Sequence, residues 1–149
     1  YSQAVQNPLA DIITAHYAVL DAQQTAVIEM AQASGLPLLT IDQQNPMFTS
    51  SYGTGELILA ALDRGCRRFI IGLGGSATND GGTGLLQALG IRFFDHNNKE
   101  LDACGQVLEY IHSIDHSCFD SRIKDCEFII AGDVSNPLLG DSGATAVFA

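Results

Sequence analysis

Positions 72–84 read Gly72-Leu73-Gly74-Gly75-Ser76-Ala77-Thr78-Asn79-Asp80-Gly81-Gly82-Thr83-Gly84, directly behind the apolar run Phe69-Ile70-Ile71. Six glycines in thirteen positions would weaken any core or helix interior, because each loses much backbone freedom on ordering. The compensating use of such a backbone is close approach to an anion, with N–H groups turned toward it at the start of a following helix. Ser76, Thr78, Asn79 and Asp80 add hydroxyls, an amide and a carboxylate. These groups can hydrogen-bond a polar substrate, ligate a hard cation or take a proton from a hydroxyl. The plainer alternative is that Asp80 or Asn79 caps the next helix and the glycines only make turns.

A second apolar run, Glu127-Phe128-Ile129-Ile130-Ala131, empties into a loop of similar chemistry, Gly132-Asp133-Val134-Ser135-Asn136-Pro137. A carboxylate buried at a strand terminus needs a cation or a donor; the competing reading of Asp133 is an Asx-turn with Ser135 and Asn136. Ligands of open α/β sheets bind outside the carboxyl ends of the strands, so the two loops are expected to wall one cleft. Within it Asp80 and Asp133 are the catalytic candidates, Asp133 also for Mg²⁺. Gly74, Gly75, Ser76, Thr78, Asn79, Gly81, Gly82 and Asn136 are the substrate-binding candidates. Glu29, Ser50, Ser51, Thr54 and Glu56 rank second; Glu29 reads equally well as the solvent face of an edge strand.

Other chemistries leave weaker traces. The loop is no Walker A motif, since no lysine lies between Arg68 and Lys99. Gly72-x-Gly74-x-x-Ala77 fits the relaxed dinucleotide fingerprint, with Asp95 about where a ribose-binding acid is expected, so a nucleotide-cofactor oxidoreductase is an alternative. His112 and His116 stand four apart without a third ligand nearby and read as surface residues, and His16 and His96 stand alone. Cys66, Cys104, Cys118 and Cys126 follow no metal-ligand rhythm and read as thiols of a reducing compartment, the cytoplasm.

The elements that must carry these loops alternate between strand and helix. A hairpin is expected from residues 15–20 and 25–30 around a polar turn. A helical turn follows, stopped at Gly35, with a possible edge segment at 38–41. After the loop 42–51, Leu57, Ile58, Ala61 and Leu62 mark an amphipathic helix over 54–64 that ends at Gly65. Strand 68–73, helix 83–89 closed by Gly90, strand 91–94, a turn at 95–98, a possible strand at 110–114, a connector at 121–125 and strand 127–131 complete the order. The pattern is α/β, a mostly parallel or mixed sheet with flanking helices.

The chain has 149 residues, 46% of them hydrophobic, enough for a domain core. Seven Lys and Arg against seventeen Asp and Glu give a net charge of -10, which disfavours nucleic acid and anionic membranes. No apolar stretch approaches the roughly 20 residues that span a bilayer. The start at Tyr1 and the end behind an apolar run read as cuts within a longer polypeptide.

The glycine-rich run, from Phe69 through Gly82, resembles the signature of the bacterial glycerate kinase family. Ala26-Val27-Ile28-Glu29-Met30-Ala31 with Ala33-Ser34-Gly35-Leu36, then Tyr52-Gly53-Thr54-Gly55-Glu56-Leu57-Ile58, and Asp133-Val134 with Asn136-Pro137-Leu138 and Gly143-Ala144 are similar to family motifs in the same order. The resemblance runs from about Tyr17 onward. It implies transfer of the γ-phosphoryl group of ATP, with Mg²⁺, to a hydroxyl of D-glycerate, on an enzyme of two α/β domains. Residues 1–149 would be its central portion, one domain with part of the second, inactive in isolation. A non-catalytic hydroxy-acid binding module is a further alternative.

Overall fold

The computed structural model describes residues 1–20, 22, 24–132, 135–137 and 139–148. Its backbone is an antiparallel hairpin, a four-stranded mixed sheet and a two-stranded ribbon gathered around one long helix. The hairpin pairs β1 (Ser2–Gln6) with β2 (Ile12–His16). The main sheet has the order β3 (Ala18–Leu20), β4 (Thr25–Glu29), β5 (Arg68–Gly72), β8 (Glu127–Ala131), with β3 antiparallel to β4 and the other two pairings parallel. The ribbon pairs β6 (Arg92–Phe94) with β7 (Ser113–Asp115). The helices are α1 (Ala31–Ser34), α2 (Tyr52–Asp63), α3 (Thr83–Ala88) and α4 (Ala144–Phe148).

Alternation along the parallel strands decides the core. Ala26 and Ile28 of β4 and Phe69 and Ile71 of β5 are buried in one cluster with Leu57, Ile58, Ala61 and Leu62 of α2. The α2 stripe is the one its periodicity predicts, and Gly65, at φ +87°, ends the helix as expected. On β8 the same rows continue as Phe128, stacked on Phe69 at 4.9 Å, and Ile130, yet these are 38% and 55% exposed. The apolar rows therefore run to a strand that, among the described residues, pairs on one side only.

The hairpin is fastened to α2 at two points. Gln6 donates its N–H to Glu56 Oε2 at 2.6 Å. A Cβ at Gly53 would collide with the Gln6 carbonyl, so glycine is what lets the strand come this close. At its other end, Arg64 lies 3.8 Å over the Tyr1 ring and donates Nε–H to the Tyr17 hydroxyl at 3.0 Å.

Three expectations need correction. Residues 15–20 are not one arm: 12–16 pair with β1, and only Ala18–Leu20 pairs with β4. Residues 38–41 form no strand, because Pro37 presets a 3-10 turn at Leu36–Leu38 and a second covers Ile41–Gln43. The strand sought at 110–114 begins only at Ser113, since Gly105–Tyr110 is itself a 3-10 helix. His112 and His116 flank this strand, and both are exposed, as expected of surface residues.

The turn Ser121–Asp125 that feeds β8 is tied to the end of α2 by Arg122, which bonds Asp120 Oδ2 and Asp63 Oδ1 at 2.7 and 2.8 Å. The Arg122 guanidinium holds the Asp120 carboxyl below the usual carboxylate range, despite some opposing desolvation. A depressed folded-state value stabilises the fold above the unfolded carboxyl range, near about pH 4. That stabilisation is lost as pH falls through the depressed value. Asp120→Asn should lower the thermal midpoint at pH 7, with the gap to the unsubstituted protein narrowing on acidification below about pH 4; melting curves across pH check this, and a gap independent of pH contradicts it.

Candidate functional site

Because β4, β5 and β8 run parallel, their carboxyl ends share one edge, where Glu29, Gly72 and Ala131 stand side by side in register. The glycine-rich loop leaves from the middle of that edge. It is strapped to the residues after α1: Leu36 N–H donates to the Gly75 carbonyl at 2.9 Å, and Ala77 N–H to the Ser34 carbonyl at 2.8 Å. The Ala77 carbonyl accepts in turn from Thr49 Oγ1 at 2.8 Å. Ala77 is thereby a buried post held at both its polar groups, and the hydroxyls on either side of it, Ser76 and Thr78, remain half-buried and bonded to each other at 3.0 Å.

Asp80 lies beneath this loop, 2% exposed. Its Oδ2 accepts from Ser51 N–H at 2.8 Å, Ser51 Oγ–H at 2.7 Å and Gly84 N–H at 3.1 Å; its Oδ1 accepts from Gly82 N–H at 3.0 Å. Ser51 precedes α2 and Gly84 opens α3, so one carboxylate serves two helix N-termini, where negative charge is favoured. Ser51 Oγ completes the exchange by accepting from Leu85 N–H of α3 at 2.9 Å. The helices can meet this closely because Cβ atoms at Gly55 and Gly84 would strike α3 and the residues opening α2, respectively.

For Asp80 the geometry supports the capping alternative: accepting from four donors under the loop, its carboxylate clasps the starts of α2 and α3. Second-rank residues resolve the same way: Ser51 is part of that clasp, Thr54 Oγ1 is buried against Ser34 Oγ at 2.8 Å, Glu56 holds β1, and Ser50 Oγ accepts from Tyr52 N–H at 3.3 Å. Glu29 differs from all of these. It belongs to an interior strand, not an edge strand, and its exposed side chain stands at the carboxyl end of the sheet.

The substrate-binding candidates fall in two stretches, the loop behind β5 and the segment behind β8. Gly74 and Gly75 are exposed at the turn behind β5, Ser76 and Thr78 follow, and Asn79 Oδ1 accepts from Thr145 Oγ1 of α4 at 3.3 Å. Asn136 Nδ2 donates to the Ser142 carbonyl at 2.9 Å, within the segment that follows β8. Gly81 and Gly82 act as turns, at φ +60° and +76°. Asp133 lies outside the described residues.

The oxidoreductase alternative fails on topology. Asp95 follows β6, which pairs with β7 in the ribbon and stands outside the parallel sheet, whereas a ribose-binding acid sits on a neighbouring strand of that sheet. Its Oδ1 instead accepts the N–H groups of Asn97 and Lys99 at 2.8 and 2.9 Å, and the Lys99 amide leads the causes that lower its carboxyl from the ordinary range.

Cations are scarce at the sheet's carboxyl end. Arg68 pairs with Glu127, Arg92 with Glu100, and Arg122 with Asp63 and Asp120; Arg64 packs on Tyr1, and Arg67 donates to carbonyls of Leu62 and Cys66. No three His, Cys, Asp or Glu converge among the described residues. Glu29 is an exposed carboxylate at this edge, of the oxygen-donor type that Mg²⁺ takes, and Mg²⁺ carried by nucleotide phosphates needs only one or two carboxylates from protein. A groove of about 670 Å³, lined by residues including Phe48, Tyr52, Arg92 and Glu100, lies elsewhere and includes Ser50 of the candidates.

An α/β chain with a glycine-rich, hydroxyl-bearing loop at the carboxyl edge of parallel strands belongs to the class of ligand-binding α/β proteins. The glycerate kinase family model matches residues 1–149, and the chain belongs to that family. It is 51% identical over 146 residues to a glycerate kinase of Bacillus subtilis and 48% identical over 144 residues to a glycerate 2-kinase of Escherichia coli, covering 98% and 97% of this chain. A crystal structure of a chain assigned as glycerate kinase 2 from Salmonella typhimurium LT2 superposes with a TM-score of 0.95 at 47% identity, over 99% of this chain and 40% of that one. The chain spans 38% of the length of the Bacillus and Escherichia relatives.

Thr49 is the residue that sequence reasoning passed over. Nothing local marks it, because its partner is 28 residues away. Asp80→Asn should leave one of the four donors facing an NH₂ group and destabilise the protein by about 1–3 kcal/mol, read as a lower denaturant midpoint. Turnover lost by about 10²-fold with the midpoint unchanged would return Asp80 to the role of base.

Proposed function

We propose that the whole protein is a glycerate kinase and that this portion binds the acceptor, D-glycerate, for phosphoryl transfer from ATP. The observation that carries the reading is the loop at the sheet's carboxyl edge, and Gly74 within it most of all. Gly53, Gly55 and Gly84 are explained by close packing, and Gly75, Gly81 and Gly82 by positive φ. Gly74 has neither reason, and shares this with Gly72 and Gly132 at the ends of β5 and β8: open space surrounds these Cβ positions and the backbone there is not left-handed. An exposed glycine with no role in the fold fits a backbone that an anionic group approaches closely.

In this reading the amides of Gly74 and Gly75 face the glycerate carboxylate or the transferred phosphoryl oxygens, and Ser76, Thr78 and Asn79 hydrogen-bond the hydroxyls, with Asn136 from the segment after β8. A glycerate hydroxyl oxygen forms the new bond to the γ-phosphorus as the bond to the ADP oxygen breaks, and the hydroxyl proton passes to a carboxylate. Asp133 and Glu29 are the candidates for that carboxylate or for a Mg²⁺ ligand. Mg²⁺ supplies charge neutralisation between the phosphates. With the arginines engaged elsewhere, Lys99 and Lys124 are the remaining cations of this portion, which favours further positive charge from the rest of the whole protein and inactivity of the portion alone. Among the described residues no helix is long and apolar enough to cross a membrane. The acidic balance favours an enzyme that binds no nucleic acid, and the free thiols favour a reducing compartment, the cytoplasm.

ADP release by the whole natural protein with Mg²⁺ and ATP should depend on D-glycerate, and equal release without glycerate would overturn the reading. Binding of glycerate with no ADP release would favour the non-catalytic module. Asn79→Asp, nearly isosteric but placing a negative charge beside an anionic acceptor, should raise the glycerate KM by about tenfold or more, the equivalent of roughly 1.4 kcal/mol; an unchanged KM removes Asn79 from the acceptor site.

A further inference from the structure

Beneath the loop lies a set of buried polar side chains that the proposed chemistry does not use: Ser34, Thr49, Ser51 and Thr54, each at 0% exposure. Burying a hydroxyl costs free energy unless it is hydrogen-bonded, and no buried side-chain polar atom among the described residues lacks a partner. Ser51 is committed to the two helices, and Ser34 and Thr54 to each other. Thr49 is the one whose hydroxyl is spent on the loop backbone itself, at the Ala77 carbonyl, with a long second approach to the Pro46 carbonyl at 3.4 Å.

We infer that Thr49 is a positioning residue for the acceptor site, setting the direction in which Ser76 and Thr78 point; the inference rests on the glycerate kinase reading. Ala77 has one N–H and one C=O, and both are fixed from opposite sides, by the Ser34 carbonyl at 2.8 Å and by Thr49 at 2.8 Å. The two peptide planes that flank Ala77 carry the orientation of its neighbours, since planar peptides leave only φ and ψ free. Removing the Thr49 hydroxyl leaves the Ala77–Thr78 peptide plane held by the Thr78 N–H donating to Ser76 Oγ at 3.1 Å, a bond internal to the loop, so that the plane and the two hydroxyls that are to meet substrate shift together. Misplacement of this kind weakens catalysis without touching a reacting atom.

Thr49 is itself anchored upstream. Phe48 N–H donates to the Asn45 carbonyl at 3.1 Å, and Ser50 N–H to the Pro8 carbonyl at 2.9 Å, so the segment that presents Thr49 is pinned against the turn of the β1–β2 hairpin. The hairpin thereby supports the loop at one remove, although it lies outside the main sheet.

The test compares Thr49→Val, equal in shape and lacking the hydroxyl, with Thr49→Ser, which keeps it, in the whole natural protein. The expected result is a glycerate kcat/KM lowered about tenfold or more in Thr49→Val, with the KM for ATP within about twofold of the unsubstituted enzyme and recovery in Thr49→Ser. Unchanged glycerate kinetics in Thr49→Val, equal losses in both variants, or a matching rise in the KM for both substrates would overturn the inference. Should the unsubstituted protein release no ADP with glycerate, the kinase reading fails by itself, and amide hydrogen exchange over residues 76–79 decides the positioning role. Exchange accelerated in Thr49→Val and restored in Thr49→Ser supports it, and exchange unchanged in Thr49→Val overturns it.

Discussion

The carboxylate of Asp80 is the contact on which the rest of the site depends. A buried charge is costly unless donors surround it, and here the donors are the backbone and hydroxyl of Ser51 together with the amides of Gly82 and Gly84. Each of these groups would otherwise be among the unsatisfied donors at a helix start or a tight turn. One side chain thus settles the openings of α2 and α3 and the far end of the glycine-rich loop, and the loop's near end is set by β5. What lies between, residues 73–79, is a backbone fixed at both ends and strapped in the middle.

That arrangement separates the tasks of the glycines. Those packed between α2, α3 and β1 make room for close contact, and those with positive φ turn the chain. The exposed part of the loop is left to present amides and hydroxyls at the carboxyl edge of the parallel strands, where the sheet itself contributes Glu29 and the segment after β8 contributes Asn136. In the proposed reading this composition suits an anionic, hydroxyl-bearing molecule, because amides and hydroxyls are its donors and the described arginines are paired or packed away from it.

Much of this framework is legible from residues alone. The continuous apolar runs of β5 and β8, the stripe of α2 and the stops at Gly65 and Gly90 depend on local patterning, and the structure follows them closely. The β1–β2 hairpin escaped notice because Ser2-Gln3-Ala4-Val5-Gln6 is mostly polar and lies against α2 through a single buried valine. The role of Asp80 was legible only as one of two alternatives, capping or catalysis, since the choice turns on Ser51, 29 residues earlier in the chain. Thr49 gave no sign at all, for the same physical reason: a side chain bonded to a distant carbonyl follows no period and completes no motif. Apolar Phe128 and Ile130 at the sheet edge fit the parallel-strand pattern exactly where their neighbours do, yet they remain partly exposed because β8 has no strand on its outer side among the described residues.

The central claim is that the glycine-rich loop at the carboxyl edge receives the hydroxy acid. Backbone amide shifts of the isotopically labelled whole protein, followed during titration with D-glycerate, test it most directly. The account predicts that the amides of Gly74, Gly75, Ser76, Thr78 and Asn79 shift first and saturate together. Shifts confined to the groove lined by Phe48, Tyr52 and Arg92, with the loop amides unmoved at saturation, would contradict it.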